Sequence, residues 1–504
     1  MSSHIFPAEA KSGFVIRSNK GVRTALILTA VSLVVYVSVT LVSRGNVLAG
    51  FACVAFVAIV FFTFYRIEWG LFILLGLVLF FDHFDIPGFD TFTYDAGYFF
   101  PFNKLFPGLG IGIVTPMEIH LLILIFAWIV VFTVKKEHFL QGVPVWWVAL
   151  LFFAWLFGSV VYGTMKGGNL QDAFWEIRSL SYWGLLLFLV PQLVTTKAHV
   201  KSIVWVVIAM VTFKSSQIIA RFISAGLHFE GYRTLASHED AVFCVVVFLI
   251  LIALLTYGGD SKQRNVLLAL LPVLLLGFYA SNRRAAYAAF GVGLIAFALL
   301  LPPQRRKKLM KGFLVFGVLF SIYLAAYWNT YGRMAVVAQA FKSTVFSSDR
   351  DMLRGQDYSS GLARKQENYN AAVTFRTAPI LGIGFGRKFE QAMRSWGDYA
   401  FKGYMMHNQI LWMLGKTGAV GFFLFLLFLG SLVAHGSYVF AGLEDPYLKA
   451  ICAVCVIAVI NQVVVSYVDM QLTFYRNMVF LGVLTGMIPA LKAIDLRQRK
   501  EVAR

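Results

Sequence analysis

Apolar runs of roughly 18 or more residues recur along the chain, separated by short polar stretches. A helix satisfies its backbone polar groups internally, so runs of this kind can cross a bilayer. The pattern places spans at 24–43, 47–65, 69–82, 118–134, 144–164, 179–195, 199–222, 239–257, 264–281, 284–301, 309–328, 410–436, 446–467 and 472–491. The expected fold is an all-α polytopic membrane protein with about 12–14 transmembrane helices.

Charge orients these spans. With the N-terminus inside, Lys135, Lys136, Lys197, Lys201, Lys262, Arg264, the basic run at 305–311 and Arg497, Arg499 and Lys500 all fall on one side. The loop 83–117 falls on the other and carries Asp85, Asp90 and Asp95 against Lys104. This is the asymmetry of the positive-inside rule. It divides the chain into a cytoplasmic tail at 1–23, a first bundle at 24–328, a large outer loop at 329–409, a last bundle at 410–491 and a cytoplasmic tail at 492–504. No short apolar core with a small-residue cleavage site follows the first tail, which reads as an uncleaved start. Within the outer loop, Met334, Val337, Phe341 and Val345 follow helical spacing and suggest a short helix lying on the membrane face.

Composition then narrows the function. The chain is 59% hydrophobic and 14% charged, with mean hydropathy +0.73. Its net charge of +19 belongs to loop topology, and no soluble module presents it to nucleic acid. Cys53, Cys244, Cys452 and Cys455 all lie in apolar runs, where they read as small hydrophobes and not as a redox or zinc set.

The long polar stretch Ser359–Phe422 and a set of outer-facing arginines carry the candidate chemistry. Arg178, Arg233, Arg283, Arg284 and Arg364 all lie where the positive-inside rule disfavours them. Guanidinium groups converging on one cleft match the paired oxygens of a diphosphate; the alternative is pairing with Glu176, Glu239 or Asp240. Arg364 and Asn368 share a helical face, and Gly382, Gly384 and Gly386 form a turn that would let backbone amides approach a ligand. His407, with Asn408 beside it, is the candidate general base, although a histidine at a helix start is often a cap. The runs His238-Glu239-Asp240 and Asp82-His83-x-Asp85 could hold a cation, but adjacent residues at a helix start cannot all face one ion, so no metal site is assigned. Lys214 lies in mid-span and calls for an interior partner. The aromatic loop 83–117 reads as an interfacial belt or as a partly re-entrant wall of a glycan cleft.

Three segments resemble the O-antigen ligase and polymerase superfamily of bacterial envelope enzymes: ASNRRAAYAAF, SGLARKQENYNAAVTFRTAPILGIGFGRKF and MMHNQILWMLGKTGAVGFF. The resemblance implies a GT-C-like membrane glycosyltransferase in the bacterial inner membrane, acting at the periplasmic face by an inverting, metal-independent reaction without a cofactor. It implies an undecaprenyl-diphosphate-linked glycan as donor and a glycan or lipid-linked molecule as acceptor, among membrane lipids. A chain-length regulator or other polysaccharide assembly proteins would be partners. Carried over, Arg284 is the hairpin arginine, Arg364 the loop arginine and His407 the base, whereas Arg178 and Arg233 match by position before a span. The chain departs from the family pattern at Arg283, where a serine is usual, and at His238-Glu239-Asp240, which stands in place of His-Pro-Asn. The expected reaction is polymerisation of exopolysaccharide or O-antigen repeat units, with ligation to lipid A-core as the alternative within the family. A flippase for lipid-linked oligosaccharides is the alternative of another class; it would place cations along a central path, whereas these cluster at one face.

Overall fold

The structure, a computed structural model, describes residues 19–42, 47–89, 91–105, 113–135, 140–229, 235–330, 332–345, 355–394 and 403–502. In chain order the α-helices are α1 Asn19–Val42, α2 Val47–Tyr65, α3 Ile67–Phe80, α4 Phe92–Asp95, α5 Phe102–Leu105, α6 Pro116–Lys135, α7 Trp146–Met165, α8 Leu170–Leu193 and α9 Lys197–Ser224. They continue as α10 Asp240–Tyr257, α11 Ser261–Ser281, α12 Arg284–Leu300, α13 Pro303–Tyr327, α14 Val336–Val345, α15 Gly355–Thr377, α16 Gln409–Gly442, α17 Pro446–Val468 and α18 Tyr475–Val502. Among the described residues, 10 helices are long and apolar enough to cross a membrane, and shorter apolar helices lie within α1, α2, α3 and α12. Every span expected from hydropathy coincides with a helix. The protein is an all-helical polytopic membrane protein.

Residues 1–70 and 71–504 form two compact units. In the first, α1 packs on α2. In the second, α8 runs alongside α18 and α17 packs on α10, α12, α16 and α18. Gly482 and Gly486 let α18 approach α8 closely: a Cβ at Gly486 would lie 2.8 Å from the Leu186 carbonyl oxygen. Ser179 Oγ donates to the Leu472 carbonyl at 2.7 Å, and Trp183 Nε1 to Thr485 Oγ1 at 3.1 Å, so the two helices run parallel.

Local sequence explains several helix starts. Asn169 accepts from the amides of Gln171 and Asp172 to open α8, and Asp445 caps α17 ahead of Pro446. The α8 cap corrects one expectation. The helix begins at Leu170 and not at 179, because hydropathy detects the apolar part of a helix whereas its start is set by the cap. Arg178 therefore lies inside α8, not at the end of a loop. The stretch 329–409, expected to be an outer loop, contains the short helix α14 and the long polar helix α15.

Candidate active site

α15 carries a carboxylate that meets the candidate base. Glu367 is buried, and its oxygens lie 3.0 and 3.1 Å from His407 Nδ1. The His407 backbone N–H donates to the same carboxylate at 3.0 Å. A carboxylate at Nδ1 holds the ring in one orientation and puts Nε2 on its opposite edge. The His407 side chain remains 24% exposed. Asn408, beside it, is buried and accepts from the Leu411 amide at 3.1 Å, so it is the cap of α16.

A second histidine–carboxylate pair faces the first. His238 Nδ1 lies 2.7 Å from Asp469 Oδ2, at the C-terminal end of α17. Arg283 Nη1 lies 3.4 Å from the same Nδ1, and Arg283 Nη2 donates to the Ala236 carbonyl at 2.9 Å. Asp469 is within electrostatic reach of His407 as well as of His238 and Arg283. Burial opposes ionisation of Asp469, but these cations outweigh it and hold its carboxyl well below the usual carboxylate range. Burial and the adjacent Arg283 push His238 down, with Asp469 opposing.

Arg364, on α15, lies within electrostatic reach of Arg283. Its Nη1 donates to Ser360 Oγ at 3.2 Å. Arg364 Nε and, one turn along, Asn368 Oδ1 are buried polar atoms without hydrogen-bond partners among the described residues. The structure thus brings His407, Arg283 and Arg364 together at the N-terminal ends of α10, α12 and α16. Arg284 occupies the first position of α12 and is half-buried. Arg233 lies outside the described residues.

Two expectations are corrected. The turn at Gly382, Gly384 and Gly386 has φ of 72°, 80° and 81°, a region that favours glycine. Its amides, however, are not turned towards a ligand. Ile383 and Gly384 donate to the carbonyls of Gly415 and Lys416, Phe385 to Ser159, and Gly386 to Glu176 Oε2 at 2.6 Å. In return Ala419 and Val420 donate to Pro379 and Ile380. The turn is stitched into α16 where that helix breaks at Gly418, φ 65°. A broken helix at membrane depth needs its freed backbone groups satisfied by protein, and the turn does this.

Arg178 is likewise engaged by protein. It is buried, bonded to Glu118 through two donors, to Tyr182 Oη at 2.9 Å and to the Ile113 carbonyl at 2.7 Å. The Trp175 ring lies 4.5 Å from its guanidinium carbon. Its charge is thereby neutralised by Glu118, while Nη1 is a buried donor without a partner among the described residues.

The run His238-Glu239-Asp240 splits in two directions. Asp240 pairs with Arg476 at 2.7 Å and Glu239 lies 3.8 Å from that arginine, both turned away from His238's partner. Lys214 finds its partner in Asp82 at 2.8 Å, and Arg221 and Arg476 lie 3.6 and 3.8 Å from the same carboxylate. All six groups are buried.

Residues 266–426 match a family model described as O-antigen ligase. That segment, about a third of the chain, is similar to the O-antigen ligase family. Comparison with curated proteins gives no match. The matched segment contains Arg283, Arg284, Arg364, Glu367 and His407, whereas His238 and Asp469 come from outside it. A function of the O-antigen ligase or polymerase type follows in general terms, with lipid-linked glycans in a membrane as the substrate class. Sequence reasoning missed Glu367 and Asp469. Glu367 could have been found one turn from Arg364 on the polar helix, and Asp469 as an acidic residue closing an apolar run.

Proposed function

We propose that the chain is a glycosyltransferase of the inner membrane that works at the periplasmic face on undecaprenyl-diphosphate-linked glycan, polymerising exopolysaccharide or O-antigen repeat units. The observation that carries this reading is the His407–Glu367 pair beside Arg283 and Arg364. An acceptor hydroxyl attacks the anomeric carbon of the donor sugar and forms the new C–O bond. The bond from that carbon to the diphosphate oxygen breaks, and the diphosphate leaves with the electron pair. The hydroxyl proton passes to His407 Nε2, and Glu367 stabilises the resulting imidazolium through Nδ1. Arg283 and Arg364 face the departing negative charge, where fixed cations in a water-poor cleft stabilise most. The N-terminal ends of three helices add positive dipole in the same place.

This assigns the hairpin role to Arg283 in preference to Arg284, because Arg283 is the one docked against His238. Arg178, neutralised by Glu118, is held against the Trp175 ring; Asn408 and the three glycines hold the frame. Ligation to lipid A-core is the second reading, favoured by the description of the matching family. Purified protein given extracted lipid-linked repeat unit should lengthen the glycan, and His407→Ala should not. Glycan moved to lipid A-core without lengthening would establish the ligase reading. Glycan crossing liposomes unchanged in length and carrier would defeat both.

A further inference from the structure

We propose that His238 is a second hydroxyl-binding histidine of this site, holding a sugar hydroxyl at Nε2 while Asp469 fixes its ring. The proposal rests on the glycosyltransferase reading above and assigns a residue that the reaction as described does not use. The Asp469 carboxylate is committed as an anion. Its Oδ1 accepts from the Met470 amide at 2.9 Å and its Oδ2 from Gln471 Nε2 at 3.0 Å, besides facing His238 at 2.7 Å. An anionic oxygen at that distance puts the ring proton on Nδ1. Arg283, 3.4 Å from the same nitrogen, disfavours a second positive charge on the ring. With one proton, on Nδ1, the ring presents a lone pair at Nε2.

That nitrogen is available. His238 keeps 35% of its side chain exposed, and among the described residues no protein group bonds to Nε2. The surroundings suit a sugar more than an anion. A lone pair accepts from a hydroxyl and repels a phosphate oxygen. The Phe474 ring stands 5.6 Å from the imidazole, edge-on, and continues to Phe84 at 5.0 Å, whose side chain is 40% exposed. Phe474 itself is buried, so the exposed aromatic surface on this side is that of Phe84, one ring further out. An acceptor nitrogen with an apolar surface nearby is the pairing that a pyranose presents in reverse, with hydroxyl edges around an apolar face. His407 lies within electrostatic reach. The two rings thus divide the labour: His407 takes the proton of the attacking hydroxyl, and His238 holds another hydroxyl without any proton transfer.

The test uses the full chain in lipid nanodiscs with extracted undecaprenyl-diphosphate-linked repeat unit. His238→Ala should raise KM about tenfold with kcat within about threefold, the loss expected of one neutral hydrogen bond. His238→Gln, whose amide oxygen can accept near the Nε2 position, should recover most of that KM. An unchanged KM, or a fall in kcat as deep as that of His407→Ala, overturns the proposal. Two measurements stand apart from turnover. Selective nitrogen-15 histidine spectra of the wild type, with His238 assigned by its loss in His238→Gln, should show the neutral Nδ1–H tautomer; an Nε2–H tautomer overturns the proposal. Equilibrium binding of the same lipid-linked glycan should weaken in His238→Ala and not in Arg305→Ala, and equal binding overturns it. A wild-type protein that binds the glycan but never transfers it would sink the functional reading and leave His238 decided by these two results.

Discussion

His238 and Glu239 are neighbours in the chain, yet they belong to two charged regions of opposite character. On one side Asp82, Glu239 and Asp240 enclose Lys214, Arg221 and Arg476, all buried and matched in sign. On the other, His238, Asp469, Arg283, Arg364 and His407 line a space to which their side chains keep access. In the first region Asp82 and Asp240 pair with Lys214, Arg221 and Arg476, and the set holds helices α9, α10 and α18 together. In the second each histidine meets a carboxylate at Nδ1, His407 that of Glu367 and His238 that of Asp469, with Arg283 and Arg364 beside them. The difference between them is access: the first set is closed off inside the bundle, whereas the two histidines of the second keep part of their surface open.

Substitutions should separate the two regions. His407→Ala should lower kcat for glycan transfer by about 10²–10⁴-fold while most of the protein stays folded, read from transfer assays and size-exclusion chromatography of one preparation. Arg476→Ala should do the reverse. Uncovering buried carboxylates costs about 3–5 kcal/mol, so the folded fraction in size-exclusion chromatography should fall sharply. Gly384→Ala tests the frame between them: a Cβ there would lie 2.4 Å from Gly163 Cα at φ +80°, and the melting temperature should drop by several degrees. Glu367→Gln keeps the shape and removes the charge behind His407; kcat should fall about tenfold or more with KM little changed.

The smallest effect concerns pH. Glu239 immediately precedes α10, and burial, with Asp240 and Asp82 adding and Arg476 opposing, raises its pKa from 4.5 to about 7. The folded chain then keeps a proton that the unfolded chain loses near 4.5. Its contribution to stability is full below that value and is lost as pH rises to about 7. Glu239→Gln is neutral throughout, so its melting temperature relative to wild type should be higher at pH 8 than at pH 4.5. An equal difference at both values would show that Glu239 is ionised in the fold across this range.

The helices were legible because a bilayer imposes one requirement on every span, and hydropathy reads that requirement directly. Their starts were less so, since Asn169 sets the start of α8 through a single side chain that no average detects. In the site, His407, Arg283 and Arg364 were visible as polar residues in an otherwise apolar chain. Their partners were not: Glu367 meets His407 across 40 positions and Asp469 meets His238 across 231. Pairing at such separations is a property of the packed bundle, and Lys214 with Asp82, 132 positions apart, is the same case. The glycine turn was legible as a turn but not in its purpose, because its acceptors lie on α7, α8 and α16.

That turn limits how the protein can be re-engineered. Residues 379–386 and 415–420 exchange backbone hydrogen bonds in both directions across the break at Gly418. The turn between α15 and His407 is thereby registered to α16 through main-chain atoms. A chimaera that transplants the stretch from α15 to His407 from a relative will keep its geometry only if the matching turns of α16 travel with it. The two must be inherited as a unit.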